Sequence, residues 1–66
     1  MKITLKAARI NCNLSQKEAA RLIGVNQVTL SKWETGKSVP MADRIPAITK
    51  VYGITYNDLR IEKRKE

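Results

Sequence analysis

Helix-start and helix-stop residues between Ser15 and Gly36 constrain the fold of this 66-residue chain more than any other feature. Ser15 and Glu18 have the spacing of a capping box, in which each side chain accepts a hydrogen bond from the other residue's backbone amide. Gly24 is suited to end this helix in a left-handed turn, while Asn26 and Gly36 are suited to begin and end another. The spacing predicts two short helices joined by a tight turn.

Each of these two helices has one apolar side. On a wheel of about 100° per residue, one arc of the first helix collects Ala19, Ala20, Leu22 and Ile23. In the second helix Leu30 and Trp33 lie on one side. The other side carries Gln27, Val28, Ser31, Lys32 and Thr35. A bare valine among amides and hydroxyls is unusual on a face that contacts only water, so we expect this face to bind something.

The remaining segments also predict short helices, so the expected fold class is all-α. Thr4 is suited to cap a first helix that runs to about Cys12. A fourth helix is expected from residue 43 or 44 to Tyr52, because Pro46 is tolerated only in a first turn. A fifth, short helix is expected to end near Ile61, and no segment alternates well enough to predict a strand.

The chain has the length of one domain, and its charge favours a polyanionic partner. Residues 1–61 form the predicted domain, and residues 62–66 form a charged tail expected to be frayed. Thirteen Lys and Arg against six Asp and Glu give a net charge of +7. Such a field favours nucleic acid first and a membrane surface second. An excess of lysine that only maintains solubility is the alternative on charge alone.

Composition argues against an enzyme. The chain has one Cys and no His, so it cannot build a Cys/His metal site or a Ser/His or Cys/His catalytic pair, and we expect no cofactor. Glu18, Asp43 and Asp58 are better explained as residues at helix starts than as a paired acid and base. No apolar run is long enough for a signal peptide or a membrane span, so we expect a cytoplasmic protein.

The spacing of small and large residues around the predicted turn is that of a helix-turn-helix. Ala20, four residues after Gln16, is small enough to let a second helix cross closely. Gly24, eight residues after Gln16, permits the sharp turn. Leu30 and Trp33 then hold the second helix against the core.

From Leu5 to Leu59 the chain resembles the phage repressor and Cro group, the Cro/C1-type or XRE family. The matching residues are Arg9, "LSQKEAA" from Leu14, Gly24 with Val25, "WETGKSVP" from Trp33 and "YGITYNDL" from Tyr52. The resemblance implies a compact, five-helix, lambda-repressor-like fold with the helix-turn-helix at helices 2 and 3. It also implies a homodimer, formed in some cases only on DNA, that binds a palindromic double-stranded operator and regulates transcription, most simply as a phage-type repressor.

The polar face of the third helix has side chains suited to reading base edges. Gln27 can bind adenine N6 and N7, Lys32 can reach guanine O6 and N7, and Val28 can lie on a thymine methyl group. We assign these three residues to base reading. A single exposed amide or valine is common on ordinary protein surfaces. The assignment therefore depends on the combination of these side chains on one face of a basic domain.

Other residues are expected to contact phosphates or to hold the third helix in place. The predicted backbone contacts are Asn26, Ser31, Thr35, Lys37, Ser38 and Arg44. In the resembling repressors the residue matching Gln16 contacts the DNA backbone and braces the residue matching Gln27. The residues matching Arg9 and Glu34 form a salt bridge in those repressors. The resemblance therefore implies that Arg9 and Glu34 form an orientation pair here, which fixes the angle of the third helix.

A second class of function remains open on the sequence. The same fold could act as an antitoxin or adaptor, with Val28, Val39 and Tyr56 docking a protein. The absence of a large apolar patch in the sequence counts against this alternative. We expect no membrane partner and no small-molecule ligand.

Overall fold

Four α-helices account for most of the described residues. The structure, a computed structural model that describes residues 2–61, has α1 at Leu5–Asn11, α2 at Gln16–Ile23, α3 at Gln27–Thr35 and α4 at Ile45–Tyr52. None of these helices is long and apolar enough to cross a bilayer. The tail predicted at residues 62–66 lies outside the described residues.

Side-chain caps fix the first three helix starts as the sequence predicts. The Thr4 hydroxyl accepts from the Ala7 amide at 3.1 Å, and Asn26 Oδ1 accepts from the Thr29 amide at 2.8 Å. Both bonds of the Ser15 capping box are present. Each cap satisfies an amide that the helix itself leaves unpaired.

Left-handed residues end the helices where the chain must turn sharply. Gly24 has φ +93° at the end of α2, and the turn of Gly24, Val25 and Asn26 leads directly into α3. Asn13, with φ +58°, takes the same conformation after α1. This conformation is costly for most other residues, so the sequence determines where α2 stops and α3 begins.

The core is small and lies between the inner sides of the four helices. Its buried members are Leu5, Ala8, Ala19, Ala20, Ile23, Leu30, Trp33, Ile48, Tyr52 and Leu59. Leu22, which the wheel placed in the apolar arc of α2, is instead 49% exposed. It stands at one edge of that arc, whereas Ala19, Ala20 and Ile23 in the same arc are buried.

The fourth helix starts slightly later than predicted. A single 3₁₀ turn at Ala42–Arg44 leads into α4, so the predicted start at residue 43 or 44 falls in this turn. Pro46 lies in the first turn of α4, as its missing N–H requires. Gly53 ends the helix.

The predicted fifth α-helix is wrong. Tyr56–Asp58 forms one 3₁₀ turn, and Leu59–Arg60 is a short strand, β2, that pairs in parallel with β1 at Ile3–Thr4. The Thr55 hydroxyl donates to Asp58 Oδ2 at 2.9 Å and caps no helix amide. The expectation of no strand was therefore also wrong. Leu59 in β2 is buried in the core.

Candidate functional site

The polar face of α3 lines a shallow groove of about 380 Å³. The residues lining it are Gln16, Gln27, Val28, Ser31, Lys32, Thr35 and Lys37. On the opposite side of the helix Leu30 is fully buried and Trp33 is 7% exposed, whereas Val28 is 63% exposed. The helix is thus held by one side and presents the other to a ligand.

The groove combines positive charge with paired donors and acceptors. Lys32 and Lys37 are exposed cations, and none of the residues that line the groove is acidic. Gln27 adds an amide with both a donor and an acceptor end, and Val28 adds an apolar surface. This arrangement suits an anionic ligand that also presents a pattern of donors, acceptors and methyl groups.

Gln16 belongs to α2 but points toward α3. Its half-buried side chain donates from Nε2 to Glu34 Oε1 at 3.0 Å. Its Oε1 accepts from Gln27 Nε2 at 3.5 Å. The wheel angle of Gln16 places it in the apolar arc, and its position in the first turn lets the side chain leave the core toward both ends of α3.

Arg9 and Glu34 form a largely buried salt bridge. Arg9 Nε lies 2.7 Å from Glu34 Oε2 and Nη2 lies 3.2 Å from Oε1, and the two side chains are 11% and 2% exposed. Arg9 Nη1 also donates to the Leu14 carbonyl at 2.8 Å. The hydrogen bond to Glu34 is the main reason that the pKa of Arg9 is raised. The pair fastens the end of α3 to α1 and to the α1–α2 connection.

The residues predicted to contact phosphates divide into two groups. Gln16, Ser31, Thr35 and Lys37 line the groove, whereas Asn26, Ser38 and Arg44 lie outside its lining. The Thr35 hydroxyl already donates to the Ser31 carbonyl at 3.0 Å, so it must give up that bond before it can donate to a phosphate. Asn26 uses only its Oδ1 in capping and keeps its NH2 group for donation.

Arg44 lies beside the turn that joins α2 and α3. A Cβ atom built on Gly24 would lie 3.5 Å from Arg44 Nη1. The guanidinium therefore stands near the start of α3, away from the groove itself. Its sequence position, just before α4, gives no sign of this proximity.

Two polar groups outside the groove were not assigned to the site from the sequence. The Tyr52 hydroxyl is buried and has no hydrogen-bond partner among the described residues, and burial raises the pKa of Tyr52 to about 12. Cys12 is half-buried, and its Sγ donates to the Tyr52 carbonyl at 3.5 Å. Residues 2–61 contain no cluster of His, Cys, Asp and Glu that could hold a metal ion.

Comparison with known proteins gives a family match and a curated relative. A family model described as helix-turn-helix matches residues 5–59. The chain is 33% identical over 55 residues to the HTH-type transcriptional activator BcrR of Enterococcus faecalis. The matched region is 83% of this chain and 27% of the relative, so the chain spans about a quarter of that protein's length. No solved structure matches significantly.

Proposed function

The chain belongs to the Cro/C1-type helix-turn-helix family, and we propose that it is a sequence-specific, double-stranded DNA-binding regulator of transcription without enzymatic activity. In this proposal α2, the turn at Gly24 and α3 form the helix-turn-helix, and α3 enters the major groove. The observation that carries the proposal is the groove along α3, where amides, cations and an exposed valine lie opposite the buried Leu30 and Trp33.

Three residues on the exposed face of α3 are proposed to read bases. Gln27 would bind an adenine through N6 and N7, and Lys32 would donate to guanine O6 or N7. Val28, 63% exposed, would pack on a thymine methyl group. Exposure of an aliphatic side chain to water is unfavourable, and packing on a methyl group would remove apolar surface from water.

Phosphate contacts are proposed to flank the reading face. Lys37 follows the end of α3 and supplies an exposed charge at one margin of the groove. Gln16 and Ser31 are proposed partners along the groove, and Arg44 is a proposed partner beside the start of α3. Such contacts hold the protein in register without reading sequence.

We further propose that two copies bind a two-fold symmetric operator. Half-sites read by equivalent helices are then about 34 Å apart along the duplex. The proposed dimer surface lies in residues 53–61 or in the loop before α4. The first of these regions contributes to a second groove of about 280 Å³, which is lined by Tyr56, Leu59, Arg60 and Ile61 together with Lys2. Tyr56 in this groove is 62% exposed, and a matching surface on a second copy would cover it.

Selection of sites from a random duplex pool tests the proposal directly. We expect one preferred sequence, repeated with inverted orientation at a spacing of about one helical turn. If the selected sequence contains only one half-site, sequence-specific DNA binding by α3 is supported and the proposed dimer is rejected. Recovery of unrelated sequences in moderate salt would reject sequence-specific binding.

The proposed effect on transcription is repression, as the resemblance to phage repressors and Cro proteins implies. The relative in Enterococcus faecalis is named an activator, which supports transcriptional control and leaves its direction to experiment. A transcription assay in vitro, with the selected site overlapping a promoter, should show fewer transcripts as the protein is added. An increase would establish activation in its place.

A protein-docking role is the second candidate, because several apolar side chains outside the α3 groove are exposed. Val39 is 43% exposed, Met41 is 70% exposed and Tyr56 is 62% exposed. Capture of a defined protein that survives high salt, by a chain that fails to retain DNA in low salt, would favour docking. Loss of DNA binding on adding salt, with no such capture, would favour the regulator.

A further inference from the structure

The short two-stranded sheet has one exposed face, and that face carries positive charge. β1 and β2 pair with Thr4 opposite Arg60. Successive side chains of a strand point to opposite faces, so Lys2, Thr4 and Arg60 share one face, and all three are exposed. The other face carries Ile3, which is half-buried, and Leu59, which is 4% exposed. The sheet thus covers the core with one face and presents two cations on the other.

The second groove, of about 280 Å³, combines these two cations with an aromatic ring. Tyr56, which is 62% exposed, lines it together with Lys2 and Arg60. No acidic residue in the described part of the chain contributes to its lining. Asp58, in the turn before β2, lies outside the lining and accepts a hydrogen bond from the Thr55 hydroxyl at 2.9 Å. The groove therefore suits a ligand that has both negative charge and apolar surface.

The second groove is separate from the groove along α3. The two grooves have no lining residue in common. β1 packs against α1 and pairs with β2, whereas the α3 groove is formed by α2, α3 and the residue Lys37 that follows α3. A ligand bound along α3 therefore does not occupy the second groove.

We propose that the second groove binds an extended acidic segment of another protein, with carboxylates on alternate residues and an apolar side chain beside them. Lys2 precedes Thr4 by two residues and Arg60 lies opposite Thr4, so the two cations are offset by about 6.6 Å along the strands. Carboxylates two residues apart in an extended peptide are separated by about the same distance. Tyr56 packs on the apolar side chain. Binding of this kind goes beyond the proposed function and does not require DNA.

A second copy of the chain is a poor occupant of this groove. A two-fold contact brings the same patch of both copies together, so the two cations of one copy would face the same two cations of the other. Like charges at an interface repel each other, and no acidic side chain among the described residues lines the groove to offset them. The proposed dimer then uses the loop before α4, where Val39 and Met41 are exposed.

Single-stranded nucleic acid is the other anionic ligand with related chemistry. Proteins that bind single strands stack successive bases on several aromatic side chains along a basic groove. The second groove has one aromatic side chain, Tyr56, and the rest of its apolar lining is aliphatic. One ring and aliphatic walls favour a peptide over a run of bases.

The experiment titrates the full chain into a fluorescein-labelled peptide of about nine residues, the length of a long strand. The peptide has aspartate at each even position, leucine at its centre and threonine elsewhere. One control peptide has asparagine in place of aspartate, and another has the same composition with the aspartates contiguous. Fluorescence anisotropy in about 0.1 M salt, where distant charges are screened, should show about 5- to 25-fold tighter binding of the alternating peptide than of the asparagine peptide. The contiguous peptide should bind about 2- to 5-fold more weakly than the alternating one.

Variants of the lining residues locate the binding. Lys2→Gln and Arg60→Gln should each weaken binding of the alternating peptide about 2- to 5-fold. Tyr56→Ala should weaken it about 5-fold or more. Lys50→Gln, which removes an exposed cation from α4, is the matched control and should leave the affinity unchanged. Thermal unfolding confirms that each variant is folded.

Charge reversal gives a test with a gain of binding. Lys2→Glu combined with Arg60→Glu should lose the aspartate peptide and bind a peptide with lysine in place of aspartate. Addition of the selected DNA duplex should change the affinity of the wild-type chain for the aspartate peptide by less than about 2-fold, because the two grooves are separate.

Four results overturn the proposal. The first is equal affinity for the aspartate and asparagine peptides. The second is peptide binding that is lost in Lys32→Ala and Lys37→Ala but kept in the Lys2 and Arg60 variants, which would place the peptide along α3. The third is tighter, Tyr56-dependent binding of a single-stranded oligothymidine of the same length. The fourth is self-association of the wild-type chain that Tyr56→Ala abolishes, which would assign the groove to a second copy. None of these results rejects DNA reading by α3, which site selection tests separately.

Discussion

α2 and α3 are built alike on their inner sides and differ on their outer sides. Each begins at a polar cap, ends at a left-handed glycine and buries a short apolar stripe. The outer side of α2 carries mixed charges, Lys17, Glu18 and Arg21, as a solvated helix does. The outer side of α3 carries one amide, hydroxyls, a lysine and the exposed Val28. The packing of the fold requires only the inner sides. We therefore attribute the difference between the outer sides to ligand binding by α3.

The largest expected effect comes from the salt bridge that holds α3 to the body of the molecule. Arg9→Met leaves the Glu34 carboxylate, 2% exposed, without its cation. Removing one partner of a buried pair costs about 3–5 kcal/mol, comparable with the whole free energy of unfolding of a small domain at roughly 0.05–0.15 kcal/mol per residue. Urea unfolding measures this loss.

A matched double variant separates the cost of an unpaired charge from the cost of lost packing. Arg9→Met combined with Glu34→Leu leaves no buried charge at this site, so it should recover much of the stability lost in the single variant. A single-variant loss of less than about 1 kcal/mol, as for an exposed pair, would contradict the anchoring role.

The comparison of outer faces predicts different effects on DNA binding. Gln27→Ala and Lys32→Ala should each change base preference at one position by about 1–3 kcal/mol. Lys17→Ala, on the outer face of α2, is the matched control and should leave every base preference unchanged. Titration of selected and random duplexes measures both. Equal losses on the two duplexes for the α3 variants would contradict base reading.

Lys37 should behave as a phosphate contact and not as a base reader. Lys37→Ala should weaken binding to all duplexes similarly and lower the slope of log affinity against log salt by about 1. Lys50→Ala, which removes an exposed charge from α4, is the control and should leave that slope nearly unchanged. A loss confined to one sequence would place Lys37 among the base readers.

The smallest expected effect concerns the Tyr52 hydroxyl. Because it is buried without a partner among the described residues, Tyr52→Phe should leave the free energy of unfolding unchanged or raise it by about 1 kcal/mol. A loss of more than about 1 kcal/mol would indicate a hydrogen bond to this hydroxyl.

At alkaline pH, Tyr52→Phe should have a larger effect on the free energy of unfolding than at neutral pH. The pKa of Tyr52 is raised to about 12 in the folded chain, above the unfolded value of about 10. The contribution of the neutral phenol to stability is therefore complete below about pH 10 and is lost as the pH rises toward 12. Urea unfolding at several alkaline pH values should show a smaller loss for Tyr52→Phe than for the wild type.

The first four helices could be predicted from the sequence because their signals are local. Ser15, Asn26 and Gly24 act within one turn of the chain, so their roles do not depend on distant residues. The end of the chain could not be predicted in this way. The Thr55–Asp58 spacing suggests a cap, but strand pairing beside Ile3 places Leu59 in the core without a helix.

The exposed face of α3 could be predicted from the wheel, whereas the contacts behind it could not. Periodicity places Gln27, Val28 and Lys32 on one side, and the structure gathers them in one groove. The bond from Gln16 to Glu34 joins residues of different helices. Its length depends on the crossing of α2 and α3, which no local pattern specifies.

Amide chemical shifts of ¹⁵N-labelled protein, recorded as the selected duplex is added, test most directly whether the outer face of α3 is the binding surface. We expect the largest shift changes at residues 27–38 and at Gln16, with small changes along the outer face of α2 around Lys17 and Arg21. Large changes centred on α4 and residues 53–61, with α3 unaffected, would contradict DNA reading by α3.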